Sequence, residues 1–176
     1  RGRALLLVSG GRSPVALFER LAREPLSWKQ VLVSLVDERW VPPSHPDSNE
    51  ALVRRHLLQG PAAEACFVSL YQPAASHAQA ADLAEARLAG LPPADVLLLG
   101  MGDDGHSASL FPGSPNLAEA LREDCPRRLL PLRPPSAPVE RLSLTLPPLR
   151  AARVALLAIQ GQPKLATLTR ALQPGP

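Results

Sequence analysis

Aromatic residues and cysteines are scarce in this chain, and long apolar runs are absent. Tryptophan, tyrosine and phenylalanine together make up 3% of the 176 residues, and the two cysteines are Cys66 and Cys125. No stretch approaches the roughly 20 consecutive apolar residues of a membrane span, so we expect no membrane partner. The cysteines are far apart and lack the spacing of zinc ligands or of a redox pair, so we expect no metal site.

The positive charge of the chain is not organised as a nucleic-acid-binding surface. The net charge is +3 and the sequence pI is about 9.4. The arginines, however, are scattered among Ala, Leu and Pro, and no basic run alternates with aromatic residues. We therefore expect no nucleic acid partner, although a local positive potential favours an anionic small molecule.

Length and composition predict a single soluble domain over residues 1–176. The chain is 45% hydrophobic, and a chain of this size buries roughly 70% of its unfolded surface, which is enough for a core without disulfides. We expect a monomer in the reducing cytoplasm. No signal peptide is visible, and the chain starts on a strand-like run and stops soon after a helix. We therefore expect it to lack N- and C-terminal segments of a longer protein.

Continuous apolar runs predict the strands of a buried parallel sheet. They occupy residues 4–8, 31–36, 96–100 and 154–159, and they do not alternate with polar residues, as is typical of strands covered on both faces. Between them lie helical patterns, one starting at Pro14 and one running from an N-cap at Ser76 to a stop at Gly90. The sequence therefore predicts an α/β fold. It would be a three-layer, open, doubly wound, mostly parallel sheet with helices on both faces, similar to a Rossmann fold.

Three shorter segments are assigned with less support. Residues 66–70 and 141–146 are strand candidates, the second because its apolar residues alternate with polar ones. The proline-rich residues 130–138 are predicted to be a loop between strands.

The loop SGGRSP follows the first predicted strand, at the end of the sheet where ligands bind in such folds. Its residues Gly10, Gly11 and Ser13 can present N–H groups to an anion at the start of a helix, for which phosphate is the natural guest. An ordinary tight turn explains the same residues equally well. Lys164, after the last strand, would add a counter-charge if it reached that anion. Arg141 is a weaker candidate for binding the same phosphate, because a solvated residue at the edge of a strand explains it better.

The charged tetrapeptide DERW follows the second predicted strand. A solvated face is its simplest explanation, but Asp37 stands where catalytic carboxylates are common, and Arg39 can donate two hydrogen bonds to a phosphate or an oxyanion. Shortly after it, Asp47, Ser48 or Asn49 is predicted to cap the next helix.

The segment GMGDDGH, residues 100–106, follows the third strand and matches the G-x-G-x-x-G pattern of dinucleotide-binding turns. Asp103 and Asp104 argue against such a turn, because they would face a pyrophosphate. We predict instead that His106 starts a helix, whose dipole keeps the imidazole neutral and able to act as a base. Asp104 can fix the tautomer of the imidazole. A purely structural histidine is the alternative.

Taken in order, these motifs closely resemble the 6-phosphogluconolactonase family. The resemblance rests on LLLVSGGRSP, VSLVDERWVPPSHPDSN, VLLLGMGDDGHSASLFPGSP and RLSLTLPPLRAARVALLAIQG, followed by the PK of the last helix, and it covers nearly the whole chain. Compared with the SGGSTP usual in that family, this chain has Arg12 and Ser13. It also has Ser107 where threonine is common.

The resemblance implies hydrolysis of 6-phospho-D-glucono-1,5-lactone in the oxidative pentose phosphate pathway, without metal or coenzyme. It implies that His106 activates the water, with Asp104 as its partner. Arg39 or loop N–H groups would stabilise the oxyanion, with Asp37 orienting Arg39 by a hydrogen bond. The substrate phosphate would lie on the glycine turn and on Lys164.

Three other functions fit parts of the same sequence. A glucosamine-6-phosphate deaminase or sugar-phosphate isomerase would use Asp37 as its base, but would be expected to read DGHIAFNEP where this chain reads DGHSASLFPG. A non-catalytic sugar-phosphate sensor domain is the second alternative. The third, a nicotinamide-dependent dehydrogenase, is disfavoured by Asp103 and Asp104.

Overall fold

The computed structural model describes residues 2–135 and 138–173. Within these residues eight strands form: β1 (Ala4–Val8), β2 (Val31–Leu35), β3 (Asp37–Arg39), β4 (Cys66–Val68), β5 (Val96–Leu99), β6 (Leu129–Leu132), β7 (Arg141–Leu144) and β8 (Val154–Leu157). The same part of the chain holds six α-helices: α1 (Val15–Leu21), α2 (Asn49–His56), α3 (His77–Leu88), α4 (Leu117–Ala120), α5 (Leu146–Arg150) and α6 (Gln162–Ala171). Two short 3₁₀ helices lie at Trp28–Gln30 and Gly60–Glu64.

Five of the strands form the predicted parallel sheet, in the order β4-β2-β1-β5-β8. Every pairing between neighbours in this sheet is parallel, which confirms the α/β prediction. Successive residues of β2, Leu32 to Leu35, are all buried. Because successive side chains of a strand point to opposite faces, both faces of the sheet are covered there.

Both predicted helix starts are confirmed. Pro14 is the N-cap of α1, and the α1 residue Phe18 is fully buried in the core. At the start of α3, the Ser76 side chain accepts a hydrogen bond from the Gln79 backbone N–H (3.2 Å). The α3 helix ends at Leu88, two residues before Gly90.

The strand order reverses beside β1, and this reversal places the site. The chain builds β2 and β4 on one side of β1, then crosses to build β5 and β8 on the other. In doubly wound sheets, the loops that leave the carboxyl ends of the two strands at such a reversal diverge and leave a crevice between them. Here those loops begin at Ser9 and at Gly100.

A second sheet, which the sequence analysis missed, stands next to that crevice. It contains β3, β7 and β6, and all of its pairings are antiparallel. Residues 130–132, the start of the segment predicted as a loop, therefore belong to strand β6. Pro131 is accommodated because β6 is an edge strand, where a missing N–H breaks no inner ladder. Residues 136 and 137 of the same proline-rich segment lie outside the described residues.

The buried carboxylate of Glu38 joins this second sheet to α2. Its Oε1 accepts hydrogen bonds from the backbone N–H groups of Arg39 (2.8 Å) and Asn49 (2.7 Å). Its Oε2 accepts from the Glu50 N–H (2.8 Å) and from the Ser48 hydroxyl (3.1 Å). Ser48 is the N-cap of α2, which was one of the three predicted alternatives. The Glu38 carboxylate, on strand β3, also accepts N–H groups from the first turn of α2 and so caps the helix a second time.

Burial raises the pKa of Glu38 from 4.5 to about 7, although the four hydrogen bonds act to lower it. The Glu38 side chain is fully shielded from solvent.

None of the helices in residues 2–135 and 138–173 has the length and apolar composition that a membrane crossing requires.

The raised pKa of Glu38 predicts a pH-dependent stability. Between the unfolded and the folded pKa the folded chain binds more protons at this site, so the free energy of unfolding falls as pH rises through that window. We expect the difference in unfolding free energy between wild type and Glu38→Gln to fall by about 2–3 kcal/mol between pH 5 and pH 8. Urea unfolding across that range measures it, with the exposed Glu64→Gln as control. A constant difference would mean that Glu38 does not titrate there.

Candidate active site

A cavity of about 210 Å³ opens at the carboxyl ends of the parallel strands. Two hydrogen bonds join the loops that flank it, from Gly100 N–H to Ser9 Oγ (3.1 Å) and from Ser9 N–H to the Leu98 carbonyl (2.9 Å). Eight of the nine residues that the sequence analysis selects line this cavity: Gly10, Gly11, Ser13, Asp37, Arg39, His106, Arg141 and Lys164. The ninth, Asp104, does not line the cavity but contacts Nδ1 of the His106 ring.

The His106 imidazole is held by Asp104 in a defined tautomer. The distance from His106 Nδ1 to Asp104 Oδ1 is 2.6 Å, and the same carboxylate oxygen accepts the His106 backbone N–H (3.2 Å). Partial burial acts to raise the pKa of Asp104, but the hydrogen bonds from His106 outweigh it, and the pKa is lowered. Because an ionised carboxylate only accepts hydrogen bonds, this contact assigns a proton to Nδ1, and in the neutral imidazole the lone pair is then on Nε2. The Phe111 ring stacks on the imidazole at 3.9 Å between centroids.

The prediction that His106 starts a helix is wrong. The next helix in the chain is α4, whose first residue is Leu117. The loop is instead closed by the Gly102 N–H, which donates to the His106 carbonyl (2.8 Å), and by the Gly105 N–H, which donates to the Gly102 carbonyl (3.1 Å). The local partner of His106 is therefore the Asp104 carboxylate and not a helix dipole.

The glycines of this loop serve its tight course and the close approach of side chains. Gly105 has φ = 89°, a conformation that residues with a Cβ rarely adopt. A Cβ on Gly102 would lie 2.3 Å from Cε1 and Nδ1 of His106 and 2.6 Å from Oδ1 of Asp104. The glycine pattern of GMGDDGH thus makes room for the histidine and its carboxylate.

Asp37 has a partner that the sequence analysis did not single out. Its Oδ2 accepts a hydrogen bond of 2.6 Å from the hydroxyl of Ser109, which is buried in the cavity wall. Arg39 instead donates from Nη1 to the Asp47 carbonyl (2.7 Å). The prediction that Asp37 orients Arg39 by a hydrogen bond is therefore wrong, because in the part of the chain that the structure describes each side chain bonds to a different partner. The hydrogen bond between Ser109 and Asp37 links residues 72 positions apart, so no local sequence pattern indicates it.

Arg39 and Arg141 are directly opposite each other in the pairing of β3 with β7. Burial lowers the pKa of Arg141, and the charge of Arg39 lowers it further. The Nε of Arg141 is buried and has no hydrogen-bond partner among the described residues. Two like charges side by side in a cavity wall favour a bound anion that interacts with both. The structure thus makes Arg141 a more substantial candidate than the sequence alone did.

Lys164 lies at the start of α6, on the side of the loop that carries His106. The Thr167 hydroxyl of the same helix donates to the Asp103 carbonyl (3.0 Å) and joins α6 to that loop. Within residues 2–135 and 138–173, neither Lys164 nor Arg12 has an ion-pair partner, and both line the cavity. Together with the arginine pair, they give the cavity wall an excess of positive charge.

No cluster of three or more His, Cys, Asp or Glu side chains is placed to hold a metal ion in the part of the chain that the structure describes. The lining of the cavity is suited to an anionic organic ligand, because it offers cations, glycine N–H groups, serine hydroxyls and one histidine.

Comparison with known proteins agrees with this arrangement. The family model described as glucosamine-6-phosphate isomerases/6-phosphogluconolactonase matches residues 1–176. The chain belongs to this family. The resemblance that the sequence motifs indicate is thereby confirmed.

Individual family members match almost the whole chain. The 6-phosphogluconolactonase of Pseudomonas aeruginosa is 62% identical over 173 residues, which are 98% of this chain and 73% of that protein. The crystal structure of a 6-phosphogluconolactonase from Shewanella baltica has a TM-score of 0.95 and 39% identity, covering 99% of this chain and 74% of the other. A monomeric glucosamine-6-phosphate deaminase, with a TM-score of 0.75 at 20% identity, shares the fold.

The crowding at Gly102 predicts a specific loss of activity in this family member. In Gly102→Ala, the new methyl group must displace the imidazole or the Asp104 carboxylate, and such misplacement of a reacting group costs on the order of 100-fold in rate. We expect kcat to fall by that factor while the far-ultraviolet circular dichroism is unchanged. Gly90→Ala is the control, because a Cβ at Gly90 meets no atom within 4 Å. Equal activities of the two variants would contradict the assigned crowding.

Proposed function

We propose that this chain hydrolyses 6-phospho-D-glucono-1,5-lactone to 6-phospho-D-gluconate. The observation that carries the proposal is the His106–Asp104 pair, which leaves Nε2 free in a cavity surrounded by cations. The substrate is a phosphorylated lactone, so it brings a negative charge at one end and develops a second one at its carbonyl during hydrolysis. The names of the relatives at 62% and 57% identity, both 6-phosphogluconolactonases, support this substrate.

In the proposed mechanism, His106 acts as the general base. Its Nε2 accepts a proton from a water molecule while the water oxygen attacks the lactone carbonyl carbon. Asp104 stabilises the imidazolium that forms and keeps the ring oriented. When the tetrahedral intermediate collapses, the bond from the carbonyl carbon to the ring oxygen breaks, and that oxygen takes the proton back from Nε2. Water and lactone supply all the atoms of the product, so no step needs a cofactor.

The cations divide between the two ends of the substrate in this proposal. The phosphate lies on Gly10, Gly11 and Ser13, with Lys164 as its counter-charge. The oxyanion at the carbonyl is stabilised by Arg39. Arg141, which the sequence analysis considered for the phosphate, stands beside Arg39 in the sheet and is therefore assigned to the same end. This division is supported by the place of the two arginines on the antiparallel sheet, whereas the glycine turn and Lys164 belong to segments that follow strands of the parallel sheet.

We further propose that residues 1–176 act as one domain and as a monomer in the cytoplasm. Residues from both sheets line the same cavity, which supports a single domain. The two cysteines are free, which supports a reducing compartment.

Replacement of His106 tests the function directly. In His106→Ala, hydrolysis of freshly prepared 6-phosphogluconolactone is expected to fall by about 10²–10⁴-fold, the usual contribution of a general base. The measurement is acid release in a pH-stat, corrected for spontaneous hydrolysis. His56→Ala, in which the lost ring pairs with Glu19 instead of lining the cavity, is the control and should keep wild-type turnover. A wild type without lactonase activity, or a His106 variant as fast as wild type, would contradict the proposal.

The two ends of the substrate separate in steady-state kinetics. Lys164→Ala is expected to raise KM about 10-fold with little change in kcat, because the phosphate is bound equally in the ground and transition states. Arg39→Lys keeps the charge but loses the planar fork, so we expect it to lower kcat with little change in KM. Lys29→Ala, which removes a surface lysine paired with Glu64, is the control for Lys164. The opposite pattern would exchange the roles of Arg39 and Lys164.

A further inference from the structure

Asn49 is buried where the glycine turn, the strand β3 and the start of α2 come together. It is the first residue of α2, it is 2% exposed, and it lines the cavity. Its backbone N–H donates to Glu38 Oε1 (2.7 Å), and its side-chain Nδ2 donates to the Asp37 carbonyl (2.9 Å). The Asn49 side chain is therefore fixed to the strand that carries Asp37 and Arg39.

The other side of the same amide lies against the glycine turn. A Cβ on Gly10 would be 1.9 Å from Asn49 Oδ1 and 2.3 Å from its Cγ, so this side chain occupies the space that any residue other than glycine would need. Asn49 Oδ1 is buried and has no hydrogen-bond donor among the described residues. A buried acceptor without a donor is costly, so capping α2 does not explain why the oxygen points there. The oxygen instead lies against the Gly10 backbone, so the Asn49 amide fills the space between the glycine turn and the strand β3.

We propose that Asn49 is a positioning residue, which sets the distance between the glycine turn and the strand that bears Asp37 and Arg39. The inference rests on the proposed function in one respect, namely that the turn binds the substrate phosphate and Arg39 serves the carbonyl. One rigid amide between them then fixes how far apart the two ends of the substrate are held. A shift of about 1 Å between such groups is enough to slow a reaction by orders of magnitude.

The contact makes Gly10 and Asn49 an interdependent pair. Gly10→Ala places a methyl group into the Asn49 amide and must push the turn and the strand apart. Asn49→Ala removes the atoms that the methyl group would meet, so it relieves that collision while losing the spacer. Independent residues would instead give losses that multiply.

A double-mutant cycle tests the proposal. Inorganic phosphate is the binding probe, measured by calorimetry, and the lactone provides KM and kcat. We expect Gly10→Ala to weaken phosphate binding and raise KM by about 10–100-fold, and Asn49→Ala to do so by about 3–10-fold. The double variant should bind phosphate no worse than Asn49→Ala alone. Losses that multiply in the double variant would overturn the proposal.

Several controls keep the outcome interpretable. Asn116→Ala removes a similar bond, from Asn116 Nδ2 to the Pro131 carbonyl (3.0 Å), far along the chain from the turn, and should leave KM and phosphate affinity unchanged. Asn49→Ser is the substitute if Asn49→Ala does not fold, which urea unfolding reveals. If wild type binds phosphate but does not hydrolyse the lactone, the proposed function fails while the binding cycle still decides the role of Asn49. If wild type binds no phosphate, the positioning role is overturned as well.

Discussion

The site depends on the parallel pairing of β1 with β2 on one side and with β5 on the other. Because the strand order reverses at β1, the loops that leave β1 and β5 are adjacent and yet diverge, which opens a crevice between them. The glycine turn belongs to one of these loops and His106 to the other. Their hydrogen bonds through Ser9 and Gly100 hold the two loops at a constant spacing.

The charges of the site are organised so that its carboxylates do not neutralise its cations. Asp37 accepts from Ser109, Asp104 from His106, and Glu38 from the start of α2. The cations that line the cavity therefore remain available to a ligand, and two of them, Arg39 and Arg141, stand side by side. Such a wall is suited to an anionic group and to negative charge that develops at a carbonyl, and the hydrolysis of a phosphorylated lactone involves both.

Glycine meets two different physical requirements in this structure. Gly11 and Gly105 each have φ near +89°, where a Cβ would strain the backbone. Gly10 and Gly102 are needed for space, because the side chains of Asn49 and of His106 with Asp104 lie where a Cβ would be. The shape of the glycine turn and the position of His106 therefore depend on contacts that a glycine motif indicates only in part.

The sequence by itself determined the parallel α/β class, the starts of α1 and α3, and the loops that carry the site. These follow from local signals, because apolar runs, capping residues and glycine turns act over a few neighbouring residues. Tertiary structure alone decided the antiparallel sheet. Its strand β7 lies within the strand candidate 141–146, but the charged segment β3 becomes a strand only by pairing with β7, which is distant in sequence. It also decided that Asp37 pairs with Ser109 and that Asn49 meets Gly10. Each of these is a contact across a long stretch of chain, and nothing in a local pattern specifies which distant residue fills the space.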